Sequence, residues 1–316
     1  MLAYIIRRLL LLIPVLLIVG VIVFTLMHLT PGDPASVMLG RDATEAQKIA
    51  LRERLGLNEP VPVQFVTWFW SALRLDFGDS LFLGKPVIEA LLERAEPTGL
   101  LAFYSLTLAI LIAVPAGVIA AVRANSPLDR LLMMVSISGV AIPSFFFGIL
   151  LILLFAVVLG WLPSGGYVNI SDDPMEHARY MILPTLTLGF SAAGLVARLV
   201  RSTMLDVLNE DYVRTAYSKG LAERRVVIAH AFRNALIPVL TVIGVTFAGM
   251  LGGAVVIENV FNIPGLGRLL VQSVVRRDIP VVQGAVMTVA AIEVLVMLGI
   301  DLLYAYIDPR IRYGAD

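Results

Sequence analysis

Residues 209–238 read NEDYVRTAYSKGLAERRVVIAHAFRNALIP, a polar stretch wedged between apolar runs at Tyr180–Val200 and Ile237–Ile257. Each flanking run has about the 20 residues that a bilayer core of about 30 Å demands of a helix. The stretch is therefore a folded, basic segment held at a membrane surface. Asn209 suits an N-cap, Glu210 and Asp211 suit the positive end of a helix, and Gly220 supplies a C-terminal stop. The helix these signals predict, Glu210–Lys219, has about ten residues and is too short to be stable alone in water, so it must dock on something. Tyr212 and Ala216 share one of its faces, with Thr215 and Lys219 beside them. A second amphipathic stretch, Glu223–Leu236, leads through Val226, Val227, Ala231 and Ala235 into the next apolar run, and Pro238 is expected to mark the turn inward. A solvated loop that only attracted anionic lipid would need neither the caps nor the glycine, so these features favour a docking partner.

Outward from this segment the chain is apolar, with 59% hydrophobic residues and a mean hydropathy of +0.89. Six runs are long enough to span a bilayer: Leu9–Leu29, Leu100–Val122, Leu131–Gly160, Tyr180–Val200, Ile237–Ile257 and Val281–Ile307. The third has length to spare for tilt or an interfacial turn. The fold class expected is an all-α membrane protein of six transmembrane helices.

Net charge is zero, but its placement gives orientation. Arg7 and Arg8 precede the first span, Arg123 and Arg130 follow the second, and Arg310 and Arg312 follow the last. Arg198, Arg201, Arg214, Lys219, Arg224, Arg225 and Arg233 crowd the fourth loop, whereas the short loops of the other side hold only Arg179, Arg268, Arg276 and Arg277. Both termini are thus expected in the cytoplasm. The chain then divides into a first span (1–30), an external insertion (31–97), a five-helix core (98–307) containing the loop 201–236, and a cytoplasmic tail (308–316). Within the insertion, Thr44 can cap a helix that Gly56 stops. After Pro60 and Pro62, Phe65, Trp68, Phe69 and Ala72 recur at helical spacing, for a partner or for packing on neighbouring spans.

Chemistry is sparse. The chain has no cysteine, which excludes disulfides and thiol catalysis. His28, His177 and His230 are too dispersed for a metal site. Gly78-Asp-Ser-Leu-Phe-Leu-Gly84-Lys85-Pro86 imitates a phosphate loop, but five residues separate the glycines and proline stands where a Mg²⁺-binding hydroxyl belongs. Glu293, near the middle of the last span, reads as a group lining a polar path or as a paired structural acid; Asp301 lies two turns on. Gly189 with Ala193, and Gly249 with Gly253, have the spacing of close helix contacts, within the chain or across a dimer face.

The loop, with Arg214-Thr215-Ala216, then Gly220, then His230-Ala-Phe-Arg-Asn-Ala-Leu-Ile-Pro238, resembles the "EAA" loop of inner-membrane permeases of bacterial ABC importers, of the dipeptide/oligopeptide/nickel type (the B-type subunit). The general pattern has Glu at the place of Arg214 and a shorter glycine-to-proline spacing; both departures are usual in the peptide branch. Leu29-Thr-Pro-Gly-Asp-Pro34, Asp76-Phe-Gly78, Gly160-Trp-Leu-Pro163, Val256-Ile-Glu-Asn-Val-Phe261 with Pro264-Gly-Leu-Gly-Arg268, and Asp308-Pro-Arg310 extend the resemblance over essentially the whole chain.

The resemblance implies the type I ABC importer permease fold. It also implies a working unit of this chain, a homologous second permease, two ATPase subunits and an extracytoplasmic binding protein in the bacterial inner membrane, with no nucleic acid. The chain itself would need no cofactor and no metal, since ATP and Mg would be held by the ATPase subunits. Tyr212, Arg214, Thr215, Ala216, Lys219, Gly220 and Leu221 would form the ATPase-coupling set. Glu258, Asn259, Pro264, Gly265 and Gly267, in an external Glu258–Pro280 loop expected to be irregular, would face the binding protein together with the 31–97 insertion. Cargo would be di- or oligopeptides, with glutathione, nickel chelates or sugars as alternatives on the same machinery. A stand-alone secondary transporter would need paired intramembrane charges or inverted repeats with broken helices, and neither is evident.

Overall fold

The computed structural model describes residues 13–25, 36, 39, 43–54, 56–80 and 82–307. Arg7, Arg8, the ends of the first expected span, His28, the Leu29–Pro34 motif and the 308–316 tail with Arg310 and Arg312 lie outside the described residues. Among those described, the regular secondary structure is helical apart from an isolated bridge between Asp79 and Pro86. The helices are α1 (Ile13–Thr25), α2 (Glu45–Arg54), α3 (Val61–Leu73), α4 (Val87–Val122), α5 (Pro127–Ala141), α6 (Ser144–Leu151, continued as a π-helical turn Ile152–Val158) and α7 (Pro174–Leu208). They continue with α8 (Asp211–Ser218), α9 (Glu223–Val260, with a π-helical segment Val226–Phe232), α10 (Leu266–Arg276) and α11 (Ile279–Ile307). Four of these, α4, α7, α9 and α11, are long and apolar enough to cross a membrane, and α5 with α6 makes a fifth if the bent pair is one span.

Packing divides the chain into two compact units. One comprises Thr98–Ile263 and the chain from Val296 onward; the other comprises the chain up to Pro97 and Pro264–Leu295.

In the first unit α7 is the central element: 61% of its most apolar window is buried, against 33% for α4 and α9. Its burial rests on backbone approach. A Cβ on Gly194 would stand 2.2 Å from the Ser136 carbonyl oxygen of α5, and one on Gly117 of α4 would stand 2.6 Å from the Ala197 carbonyl of α7. Gly189 meets Ser105 O in the same way and Gly253 lies against the Leu188 side chain, so these small residues serve contacts within the chain, whereas Gly249 faces open space. The Glu258 carboxylate is fully buried on α9 and accepts a hydrogen bond from Thr98 Oγ1 at 2.6 Å.

Two expectations for this unit are corrected. The run Leu131–Gly160 is not one straight span: α5 and α6 meet at a 103° bend. Ile142 there is extended (φ −82°, ψ 123°), as the residue before a proline prefers, because the Pro143 ring crowds the helical alternative. Nor does Pro238 start or turn a helix; it lies inside α9, which begins at Glu223.

In the second unit the aromatic stripe of α3 packs on α1. Phe24 meets Phe65 edge-on at 5.4 Å and Trp68 at 5.7 Å, and Ala72 is buried. Thr44 and Gln47 form the predicted cap of α2, each bonding the other's backbone N–H, and Gly56 (φ +64°) follows its end. The phosphate-loop lookalike is a tight turn: Ser80 Oγ donates to Asp278 Oδ2, and Lys85 pairs with Glu93 and Glu89. Val87, Leu91, Leu266, Leu269, Val281 and Ala285 form the core of this unit.

Candidate functional site

The polar segment between α7 and α9 folds as a small, closed piece. The capping expected of Asn209 is corrected: Asn209 sits at the C-terminal cap of α7, where its Nδ2 donates to Leu205 O at 2.9 Å. Glu210 takes the N-cap position of α8 and makes no side-chain cap bond. The helix is accordingly eight residues, Asp211–Ser218. Its other end matches the sequence reading. Gly220 has φ +77°, its N–H donates to Tyr217 O at 2.9 Å, and Leu221 N–H donates to Ala216 O at 3.4 Å. These two bonds form a Schellman motif, which needs the left-handed conformation that glycine adopts without strain.

Val213 and Ala216, three apart on α8, are buried with Val226 of α9, and Val207, Leu208 and Leu221 close around them. Ala216 is therefore turned into the chain's own core and seats the helix; its side chain is not on the free surface. Asp211, Tyr212, Arg214, Thr215, Tyr217, Ser218, Lys219 and Gly220 are exposed, and Leu221 is half-buried. Tyr212 is fixed from the side: its hydroxyl accepts from Asn234 Nδ2 at 2.8 Å, which ties α8 to the segment after the π-helical turn of α9. Arg214 and Asp211 approach to 3.6 Å on the exposed face, a pair whose contribution in water is small. Exposed Tyr217 was not singled out in the sequence because the reading placed the contact face on the Tyr212 side.

A buried ion pair next to this piece also escaped the sequence. Arg201 Nε and Nη2 donate to the two oxygens of Asp129 at 2.6 and 2.7 Å, and Asn125 N–H donates to Asp129 Oδ2 at 2.8 Å. Asp129 is 2% exposed. The pair clamps the turn between α4 and α5 to α7 just before α8. A separation of 72 residues leaves no local pattern to read.

In the same unit, at the α5–α6 bend, an open pocket of about 300 Å³ is bounded by Ser144 of α6, Leu188 and Ser191 of α7, and Thr246, Gly249 and Gly253 of α9. No ionisable side chain lines it.

The residues expected to face a binding protein are scattered by the fold. Glu258 is corrected from an external loop to a buried helix position. Asn259 is exposed and donates to Val255 O at 2.7 Å. The supposedly irregular Glu258–Pro280 loop contains α10, with Gly265 at its N-cap, Gly267 buried inside it and Arg277 as a left-handed cap. Pro264, Gly265 and Gly267 belong to the second unit together with residues up to Pro97. Glu293 is half-buried on α11 and makes no hydrogen bond or ion pair with the described residues.

Apolar spans, an open pocket without ionisable lining and a small capped helix held outside the spans define a multi-pass helical membrane transport subunit. Comparison with known proteins gives the family. Residues 113–313 match the family described as binding-protein-dependent transport system inner membrane component, and residues 1–83 match the N-terminal family of the same membrane component. The chain belongs to this family, the inner-membrane permeases of ABC importers.

It is 45% identical over 310 residues to the probable peptide ABC transporter permease protein y4tP of Sinorhizobium fredii, covering 98% of this chain and 99% of that one. It is 48% identical over 314 residues to the glutathione transport system permease protein GsiC of Salmonella paratyphi A, covering 99% and 100%. A solved structure of the MetNI methionine ABC transporter, in inward-facing conformations, shares the fold with a TM-score of 0.56 at 19% identity, over 70% of this chain and 97% of that one. Permeases of this family work in the inner membrane with ATPase subunits and a binding protein.

Proposed function

We propose that this chain forms half of the translocation path of an ATP-driven importer of di- or oligopeptides, and that α8 with the Gly220 turn is its contact with an ATPase subunit. The observation that carries the reading is the construction of α8. An eight-residue helix with two buried residues, a Schellman stop and a side-chain tie through Tyr212 is held as a rigid knob. Only a firmly held element can pass on a displacement of a few ångströms through packed neighbours. Tyr212, Arg214, Thr215, Lys219 and Gly220 offer the contact surface, and Ala216 and Leu221 hold it in place. ATP binding would draw this knob and its counterpart on a homologous second permease together, and hydrolysis would release them.

Six spans with both termini in the cytoplasm complete the reading, supported by the positive-inside distribution of arginines. The cavity at the α5–α6 bend supplies a stretch of path. Its hydroxyls and open glycine surface offer contacts to a peptide backbone without selecting side-chain charge. Glu293, half-buried on α11 in the second unit and unpaired among the described residues, is a separate candidate to meet a cationic group on cargo. Peptide cargo follows the names of y4tP and its relatives; glutathione, itself a peptide, is the second reading, from GsiC.

The natural absence of cysteine gives a clean test. A Thr215→Cys chain, assembled with its ATPase subunits, should cross-link to an ATPase subunit with a short thiol reagent, and a Val157→Cys control on α6 should not. Absence of the first product with assembly intact would sink the coupling assignment. Uptake by the chain without ATPase subunits would instead favour a secondary transporter.

A further inference from the structure

The end of α4, the start of α5 and the start of α9 enclose a groove of about 480 Å³ in the first unit. Its walls are apolar: Val118, Ile119 and Val122 from α4, Leu128 from α5, and Val227 and Ile228 from α9. Arg123, Arg224 and Glu223 stand in its lining, all exposed. Neither guanidinium makes a side-chain hydrogen bond or an ion pair with the described residues. The acid nearest in sequence to Arg123, Asp129, has both oxygens occupied by Arg201 and Asn125. Arg130 is turned to the Asn125 carbonyl at 3.3 Å.

The apolar wall continues away from the arginines. Leu111, Pro115 and Ile119 follow one another at four-residue spacing on an exposed face of α4, with Leu111 67% exposed. In a membrane protein such a row faces acyl chains. An apolar channel that runs along a span and ends at two unpaired guanidinium groups has the complementarity of one class of molecule, with an anionic head and a hydrocarbon tail. Guanidinium groups bind phosphate oxygens in pairs of parallel hydrogen bonds, and basic pockets between spans are the usual seats of anionic headgroups.

We propose that this groove binds an anionic phospholipid, its phosphate between Arg123 and Arg224 and one acyl chain along Ile119, Pro115 and Leu111. A zwitterionic headgroup brings no net charge to two cations. The lining also contains Glu223, which disfavours a densely anionic ligand and suits a headgroup with a single phosphate. The bound lipid would brace the α4–α5 turn against the start of α9, immediately after the Gly220 stop. The inference needs the membrane setting of the family but neither the peptide cargo nor the ATPase contact.

The test uses the full chain purified in mild detergent, with equimolar dioleoyl phosphatidylglycerol and dioleoyl phosphatidylcholine added, and native mass spectrometry of the retained lipid. Phosphatidylglycerol should be retained in preference. The double variant Arg123→Gln/Arg224→Gln should reduce that preference about tenfold, since each arginine near an anionic headgroup contributes a several-fold factor. Arg123→Lys/Arg224→Lys should keep most of it. Arg224→Gln alone, at an exposed position, gives an intermediate value should the double variant aggregate.

Equal retention of the two lipids by the natural chain would overturn the proposal, as would a preference unchanged in the glutamine variants. Displacement of the lipid by millimolar inorganic phosphate as readily as by phosphatidylglycerol would make this a free-anion site. In the assembled transporter reconstituted in phosphatidylcholine alone, protection of Arg123 and Arg224 from phenylglyoxal would show that a partner protein covers the groove instead.

Discussion

Replacing Gly220 with valine changes one backbone position and no packing, because a Cβ there meets nothing within 4 Å. The cost lies in φ +77°. An L residue in the left-handed region is disfavoured by about 1–2 kcal/mol, and a β-branched one stands at the upper end. If the turn relaxes to negative φ instead, the bonds from Gly220 N–H and Leu221 N–H are lost, each worth about 1 kcal/mol net. Either route costs about 2 kcal/mol. Against this, α8 is anchored chiefly by Val213, whose full burial contributes about 1.5–3 kcal/mol, with smaller help from Ala216. The substitution therefore removes much of what holds the helix and raises the undocked fraction by about 30-fold, at about 1.4 kcal/mol per tenfold.

The assay is cargo uptake beside ATP hydrolysis in proteoliposomes containing the assembled transporter and its binding protein. Uptake should fall in the order Gly220, Gly220→Asn, Gly220→Ala, Gly220→Val, since asparagine tolerates the left-handed region better than alanine. ATP hydrolysis should persist but lose its response to loaded binding protein. Full uptake by the Gly220→Val variant, or an equal loss with asparagine and valine, would refute the argument that the geometry of this turn transmits the stroke.

Three further outcomes are expected. Arg201→Ala should destabilise the chain by about 3 kcal/mol or more, because it strands the buried Asp129 carboxylate; Asp129→Ala/Arg201→Ala should recover part of the loss, read as melting temperature in detergent. Gly194→Ala should lower the yield of monodisperse protein, since its methyl would stand 2.2 Å from a backbone carbonyl on α5, with a cost of about 1–3 kcal/mol for forced separation. Gly249→Leu, placed where an added side chain finds open space, should instead express normally and reduce uptake by filling the cavity beside Ser144 and Ser191; normal uptake would remove that cavity from the path.

The segment that carries α8 was legible in outline because turn chemistry is local. Gly220 announces a left-handed stop whatever surrounds it, and the aromatic stripe of α3 announces a packed face by spacing alone. Asn209 misled because two helices meet there: an asparagine that could open α8 is used to close α7. Ala216 looked like part of an exposed knob because composition does not say which side of a short helix is covered. Val226 and Val213, 13 residues apart, decide that side.

Sequence alone determined four long apolar runs, which fold as α4, α7, α9 and α11, the polar island at residues 209–238 and its glycine stop, since these depend on length, hydropathy and backbone preferences within a few residues. The tertiary structure decided the rest. It bent the third run at Pro143, carried α9 through Pro238, buried Glu258 against Thr98, paired Asp129 with Arg201 and grouped α10 with the N-terminal residues. The last three of these turn on groups far apart in the chain whose meeting is fixed by helix packing, and no local pattern encodes which helix becomes the neighbour.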